Sequence, residues 1–377
     1  MSSARFTLGI EEEFQLIEQD SGDLCSCFQS ILEKSSPDLE DNIKPELLQS
    51  TVEMISDVCP DIAEARKELH SRRARLLRLV ESEGKGLISS GTHPTAHWQD
   101  QERTENERYD EMEQEYQDVG RSLLIFGMHV HVGVEDKEQA ILLMNQLRTW
   151  LPHLLALSSN SPFWSGRDTG IKSYRSVVWK RFPRSGMPDT FASWRDFEYY
   201  VKTLVDLQCI DNGKKIWWDI RPHPFFDTLE FRICDMPGTF EDTMALAALC
   251  QALVAKLSWL HKHNMEVRSL SRDLIDENKW RAMRYGLDAE VLDFAQRRQV
   301  GMRDSIHQLL DFVEDVVDDL GSHREMKHLR LMLEPGQGSG ADRQLAIYRE
   351  SGGDMHKVIK FLNQQAREGI LRDEPIH

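Results

Sequence analysis

Five segments of the chain place polar side chains two residues apart, four of them as pairs of carboxylate, imidazole or guanidinium groups, the spacing that puts side chains on one face of a β-strand. In Phe126–Val134, Phe126, Met128, Val130, Val132 and Val134 form one face, and Gly127, His129, His131 and Gly133 the other. Two imidazoles on one side of a β-forming run suit a metal or a phosphate. The glycines would let a ligand approach the backbone. In Phe6–Leu16, Glu11, Glu13 and Gln15 oppose Phe6, Leu8, Ile10, Phe14 and Leu16, while Glu12 falls on the apolar side. Thr228–Asp235 sets Glu230 and Arg232 against Leu229, Phe231 and Ile233, and Trp217–Pro222 aligns Asp219 with Arg221. In Glu46–Met54, Gln49, Thr51 and Glu53 share a side. Glu46 has the opposite parity, so a bend must follow it if both acids are to reach one site.

Taken singly, each pattern also fits a solvated sheet face, a pair of satisfied histidines or a plain Glu–Arg ion pair. Together in one sheet they would crowd Glu, His, Asp and Arg onto a single face. Neighbouring carboxylates repel unless a cation neutralises them. A carboxylate-rich set with His and Arg suits a hard divalent cation on a nucleotide polyphosphate. The residues therefore point to a Mg²⁺- or Mn²⁺-dependent phosphate-handling enzyme.

Positioning such a face requires strands backed by helices. Asp61 to Glu83 carries Ile62, Ala65, Leu69, Leu76 and Val80 on one stripe, Lys137 to Trp150 repeats Ile141, Met144 and Leu147, and Thr239–Asp242 opens an apolar helix to about His261. Residues 289–320 and 353–367 complete a part that is mainly helical after about residue 260. The fold expected is α+β, as one catalytic domain over 1–377 with no internal repeat. Gly336–Gly340 lacks a following Lys-Ser/Thr and a preceding strand, so it is read as a loop rather than a phosphate loop.

The 377 residues carry a net charge of −17, which argues against a nucleic-acid surface and against an anionic membrane. No stretch approaches the ~20 apolar residues of a membrane span, and the N-terminus has no signal-peptide core. A cytoplasmic location is expected. The six cysteines show no metal-type spacing and are read as free thiols.

Gly9–Phe14, Gly91–Pro94, Asn106–Tyr109, Phe126–Gly133, Trp218–Pro222 and Glu230–Arg232, in this order, resemble the type 2 glutamate–cysteine ligase family, specifically its YbdK-like carboxylate–amine ligases. The resemblance covers roughly residues 6–370. It implies the glutamine synthetase-like fold, a twisted, mainly antiparallel sheet whose concave face forms an ATP and metal funnel, with helices on the other face. It also implies the reaction: ATP phosphorylates a carboxylate, usually the γ-carboxyl of glutamate, and an amine displaces the phosphate to give an amide. By the same resemblance, Glu11, Glu13, Glu46, Glu53, His129 and Glu230 are metal ligands. Arg232, Arg221 and Arg175 handle phosphate or substrate carboxylate, and His131 is a weaker cofactor contact. The implied cofactors are ATP and Mg²⁺, with Mn²⁺ as the alternative ion. The implied partners are a glutamate-like acid, an amine and a second copy of the chain. A closing loop is expected at Ser165–Gly170 or Arg181–Pro188. Two other readings of the same scaffold are a metal-dependent amide hydrolase and a guanidino kinase.

Overall fold

The computed structural model describes residues 6–371. Its frame is a seven-stranded antiparallel sheet: β1 (Leu8–Glu18), β2 (Ile43–Pro45), β3 (Thr51–Ile55), β4 (Lys85–Ile88), β5 (Met128–Gly133), β6 (Ile220–Pro222) and β7 (Thr228–Phe231). The strand order is β6-β7-β5-β1-β3-β2, and β4 pairs the second half of β1. Opposed residues of antiparallel strands share a face. The register sets Glu11 opposite His129, Glu13 opposite Glu53, and Glu230 opposite both His131 and Arg221. The alternation read along each strand therefore adds up to one polar face, as expected.

The other face is apolar. Leu8, Ile10, Phe14, Met128, Val130 and Val132 are buried there against α1 (Ile62–Ser82) and α4 (Phe240–Lys262), and Leu229 and Phe231 are buried on β7, which packs against the helix Lys137–Leu147. Between α1 and α4 in sequence lie α2 (Glu107–Tyr116) and α3 (Tyr174–Trp179). Glu12, the misfit of the alternation, is fully buried on this side. Arg73 of α1 donates from Nε to its carboxylate at 2.9 Å and closes a second contact through Nη2, and the Thr243 hydroxyl of α4 donates at 2.9 Å. One ionic knot thus ties the central strand to both backing helices.

The helix starts follow their caps. Asp61 accepts from the Glu64 amide at 2.9 Å at the head of α1, and Thr239 accepts from the Asp242 amide at 3.1 Å at the head of α4. At 23 residues, α4 is long and apolar enough to cross a bilayer, which corrects the expectation that no stretch approaches that length. It lies in the core, with nearly all of its residues through Ser258 buried.

The expected helix over 289–320 begins only at Met302, as α5 (Met302–Leu320). A hairpin, β8 (Glu290–Asp293) and β9 (Arg298–Gly301), precedes it. The Asp293 carboxylate accepts from the amides of Ala295 and Gln296, a local bond that favours a turn over a helix. Gly336–Gly340 is a loop, and its Ser339 caps the helix Gly340–Glu350. Asp219 does not join Arg221. Its carboxylate takes a 2.6 Å bond from the buried Lys279 ammonium. Cys25 and Cys27 are joined, against the expectation of six free thiols, while Cys59, Cys234 and Cys250 are buried and free.

Candidate active site

The polar face of the sheet is the floor of a cavity of about 650 Å³. Glu11, Glu13, Glu46, Glu53, His129, Arg175, Arg221, Glu230 and Arg232 all line it. Nine of the ten residues singled out from the sequence thus meet in one place. The tenth, His131, is not among the lining residues. It shares the polar face of β5, its Nδ1 3.0 Å from the Thr228 hydroxyl and its Nε2 3.1 Å from Glu11, and its ligand atom lies within 4.8 Å of those of Glu11 and Glu230.

The carboxylates fall into two groups with opposite electrostatics. Glu13, Glu46 and Glu53 offer oxygens that all lie within 4.8 Å of one another. The bend required after Glu46 is present: β2 ends at Pro45 and β3 begins at Thr51, so Glu46 turns into the cavity from the connection. Burial and then Glu46 push Glu13 up to about 7. Burial raises Glu46 too, tempered by Arg108, and burial with the charges of Glu46, Glu11 and Glu13 raises Glu53 well above its ordinary value. No guanidinium or ammonium is ion-paired to any of the three among the described residues.

Glu11 and Glu230 are already compensated. Burial pushes Glu11 up, but hydrogen bonds from His129 and His131 outweigh it and hold the carboxyl well below its ordinary range. Glu11 lies 2.6 Å from His129 Nδ1. Burial, then the Arg232 charge, lowers His129 to about 4, so the ring is neutral near pH 7. The bond to Glu11 then places its proton on Nδ1 and leaves Nε2 as the acceptor, the tautomer of a histidine ligand fixed by a carboxylate. Glu230 receives Arg221 Nε at 2.7 Å and a contact from Arg232 Nη1. Despite burial, these two cations and His131 keep it ionised.

Arg221 has most of its donors engaged within the protein. Its Nε and Nη2 go to Glu230, and its Nη1 donates to the carbonyls of Lys214 and Ile216 at 2.8 and 2.5 Å. It braces Glu230 and the Lys214–Ile216 segment. Arg232 and Arg175 differ: each is buried and each keeps an unpartnered Nε–H. Gly127 makes space for Arg175 rather than for a ligand, because a Cβ there would lie 2.3 Å from Arg175 Nη2.

Several lining groups were not singled out from the sequence. Arg108, Tyr109, Met112 and Tyr116 of α2 cover the cavity, and Lys214, Lys215 and His223 stand around it. The Tyr109 hydroxyl donates to the Pro45 carbonyl at 3.2 Å, which pins α2 next to Glu46. The cover is therefore α2, with Phe182 added from the Arg181–Pro188 segment. Nothing from Ser165–Gly170 lines the cavity. The signal was present in Asn106–Tyr109, where Asn106 caps α2 by accepting from the Arg108 amide at 2.9 Å.

A site of crowded acids with free guanidinium donors is chemically suggestive, and the chain's relatives narrow it. The profile of the family described as "Glutamate-cysteine ligase family 2 (GCS2)" matches residues 7–372. A Solibacter usitatus protein named "Putative glutamate--cysteine ligase 2" is 48% identical over 374 residues, covering 98% of this chain and 96% of its own. A Sorangium cellulosum protein of the same name is 47% identical, covering 97% of each. Among solved structures, a Francisella tularensis glutamate–cysteine ligase in complex with AMP superposes with a TM-score of 0.70 at 14% identity, over 97% of this chain and 90% of that one. A bifunctional glutathione synthetase from Pasteurella multocida gives 0.69 at 12% identity, over 97% of this chain and 53% of its own. The structural matches show the shared fold. The sequence matches run from the polar strands through the C-terminal helices, and on them the chain belongs to glutamate–cysteine ligase family 2, a family of ligases.

Proposed function

We propose that the protein is an ATP-dependent carboxylate–amine ligase. It would use Mg²⁺ or Mn²⁺, activate a glutamate-like carboxylate as an acyl phosphate, and pass the acyl group to an amine. The observation that carries this reading is the meeting, in one cavity, of a carboxylate trio that has no ion-pair partner among the described residues with two buried, part-unpartnered arginines.

The trio fits a hard divalent ion. Three oxygens within 4.8 Å, each from a carboxylate whose ionisation is opposed by burial or by its neighbours, form a donor set that a cation would relieve. Glu13, Glu46 and Glu53 would hold it, with neutral His129 beside them. When bound, such an ion supplies charge neutralisation at the β- and γ-phosphate oxygens.

The remaining work falls to the chain. Arg232 and Arg175 donate to oxygens of the transferred phosphoryl group and of the acceptor carboxylate, where negative charge concentrates in the transition state. Glu230, ionised by its two arginines, holds Arg232 in place, and Arg221 holds Glu230. Tyr109 and Met112 of α2 exclude water, so that the acyl phosphate survives until the amine arrives. The amine then bonds to the carbonyl carbon, loses a proton, and phosphate leaves with the former carboxylate oxygen.

That last atom gives the test. With ¹⁸O-labelled glutamate, ATP, Mg²⁺ and an accepted amine, one ¹⁸O per turnover should appear in inorganic phosphate. Phosphate free of label overturns the acyl-phosphate route. A stable phosphoguanidine would identify a kinase, and amide cleavage without nucleotide a hydrolase.

A further inference from the structure

We propose that Asp235 is a positioning residue for Arg175, acting from behind the cavity wall; this deepens the ligase reading and rests on it. Asp235 lies four residues past the end of β7, is fully buried, and does not line the cavity. Its Oδ2 accepts from the Asn160 amide at 2.9 Å and the Ser161 hydroxyl at 2.6 Å, and its Oδ1 accepts from the Ser173 hydroxyl at 2.7 Å. Gly91 leaves the space it needs, since a Cβ there would stand 2.8 Å from the Asp235 Cγ.

The network leads to Arg175 by two routes. The Ser161 hydroxyl that donates to Asp235 accepts the Arg175 backbone N–H at 3.0 Å. Ser173, also held by Asp235, precedes α3 and stands 2.9 Å from the Ser176 hydroxyl. Asp235 therefore fixes the first turn of the short helix that delivers Arg175.

There is also an electrostatic route. The Arg175 guanidinium is buried and forms no ion pair among the described residues. Among the described residues its side-chain donors reach the carbonyls of Arg232 at 3.2 Å and Ile233 at 3.4 Å. A buried cation needs a counter-charge. Burial pushes the Asp235 carboxyl up, and Arg175 is the first of the groups that pull it back. Asp235 thus compensates Arg175 from behind the wall, while Glu13 feels the same guanidinium from the cavity floor.

Asp235→Asn tests this with little change of shape. The amide oxygen can accept from Asn160 and Ser161, and the amide nitrogen can donate to Ser173, which can then donate to Ser176. Wild type, D235N, S161A, R175K and D235N/R175K are compared by thermal midpoint, by calorimetric ATP affinity with Mg²⁺, and by kcat and KM for the carboxylate substrate. D235N should lower the midpoint, as the loss of a buried counter-charge does, yet stay folded at the assay temperature and lose about tenfold or more in kcat/KM. In the R175K background the same change should cost less than about twofold. S161A should show a smaller loss that R175K also masks, and it carries the comparison if D235N does not fold. Equal losses in both backgrounds, or a loss that disappears at a temperature where every variant is fully folded, overturn the positioning role. A wild-type protein that binds no ATP overturns the ligase reading instead, and the role given to Arg175 falls with it.

Discussion

At the scale of single residues, the site is a division of labour among carboxylates that look alike in sequence. Glu11 and Glu230 have histidine and arginine partners and stay ionised, whereas Glu13, Glu46 and Glu53 have each other. A carboxyl whose value is raised in the fold binds protons that the unfolded chain has released, so its ionisation destabilises the metal-free protein as pH rises from about 4.5 through 7. Glu53→Gln removes one of the repelling charges. Metal-free E53Q should unfold several degrees above wild type at pH 8, with the advantage gone by about pH 4.5. Mg²⁺ or Mn²⁺ should raise the wild-type midpoint and shift that of E53Q far less. Thermal denaturation with and without chelator across this pH range checks both parts. A metal-free E53Q less stable than wild type at pH 8 would contradict the repulsion account.

At the scale of elements, alternation along a strand made the faces legible, and pairing between strands remained hidden. Odd positions of β1 were readable as a polar face. Whether Glu13 would meet Glu53, or Glu11 meet His129, depended on register, which long-range pairing sets. The partners of Arg221 and Gly127 were hidden for the same reason. Their partners, Glu230 with the Lys214 carbonyl and the Arg175 guanidinium, come from other segments. Glu12 was legible only as an anomaly, and its explanation lies on two helices. Replacing Glu12 by Gln leaves Arg73 buried without its counter-charge, which should cost about 3–5 kcal/mol in urea denaturation. The folded fraction should keep its kcat, because Glu12 faces away from the cavity; a small stability loss or a lost kcat would contradict this. His93, between β4 and α2, behaves with the opposite pH sign to the trio. Its Nδ1 accepts from the Ala96 amide at 3.0 Å while its Nε2 lies 2.9 Å from the Gly22 carbonyl, and burial lowers it to about 4. The unfolded chain takes up this proton near 6.5, so the His93 contribution is complete above that pH and is lost on acidification toward 4. The loss is about 3 kcal/mol at most, and H93Q should remove this share of the acid slope in denaturation across pH 4 to 7.

At the scale of the molecule, the −17 net charge gathers partly where the chemistry is proposed, in an acidic floor lined also by Arg108 of the cover and by Lys214 and Lys215 beside it. The sheet presents that floor because α1 and α4 occupy its other face, and the family match extends over both parts. Ligation by such a site requires ATP, an acid and an amine together. The direct measurement is phosphate release by the purified protein with ATP and Mg²⁺, using glutamate against a panel of amines. The account predicts phosphate that appears only when an acid and an accepted amine are both present, in step with amide formed. An amide substrate cleaved at the same rate with and without nucleotide, and no phosphate with any acid–amine pair, would contradict it.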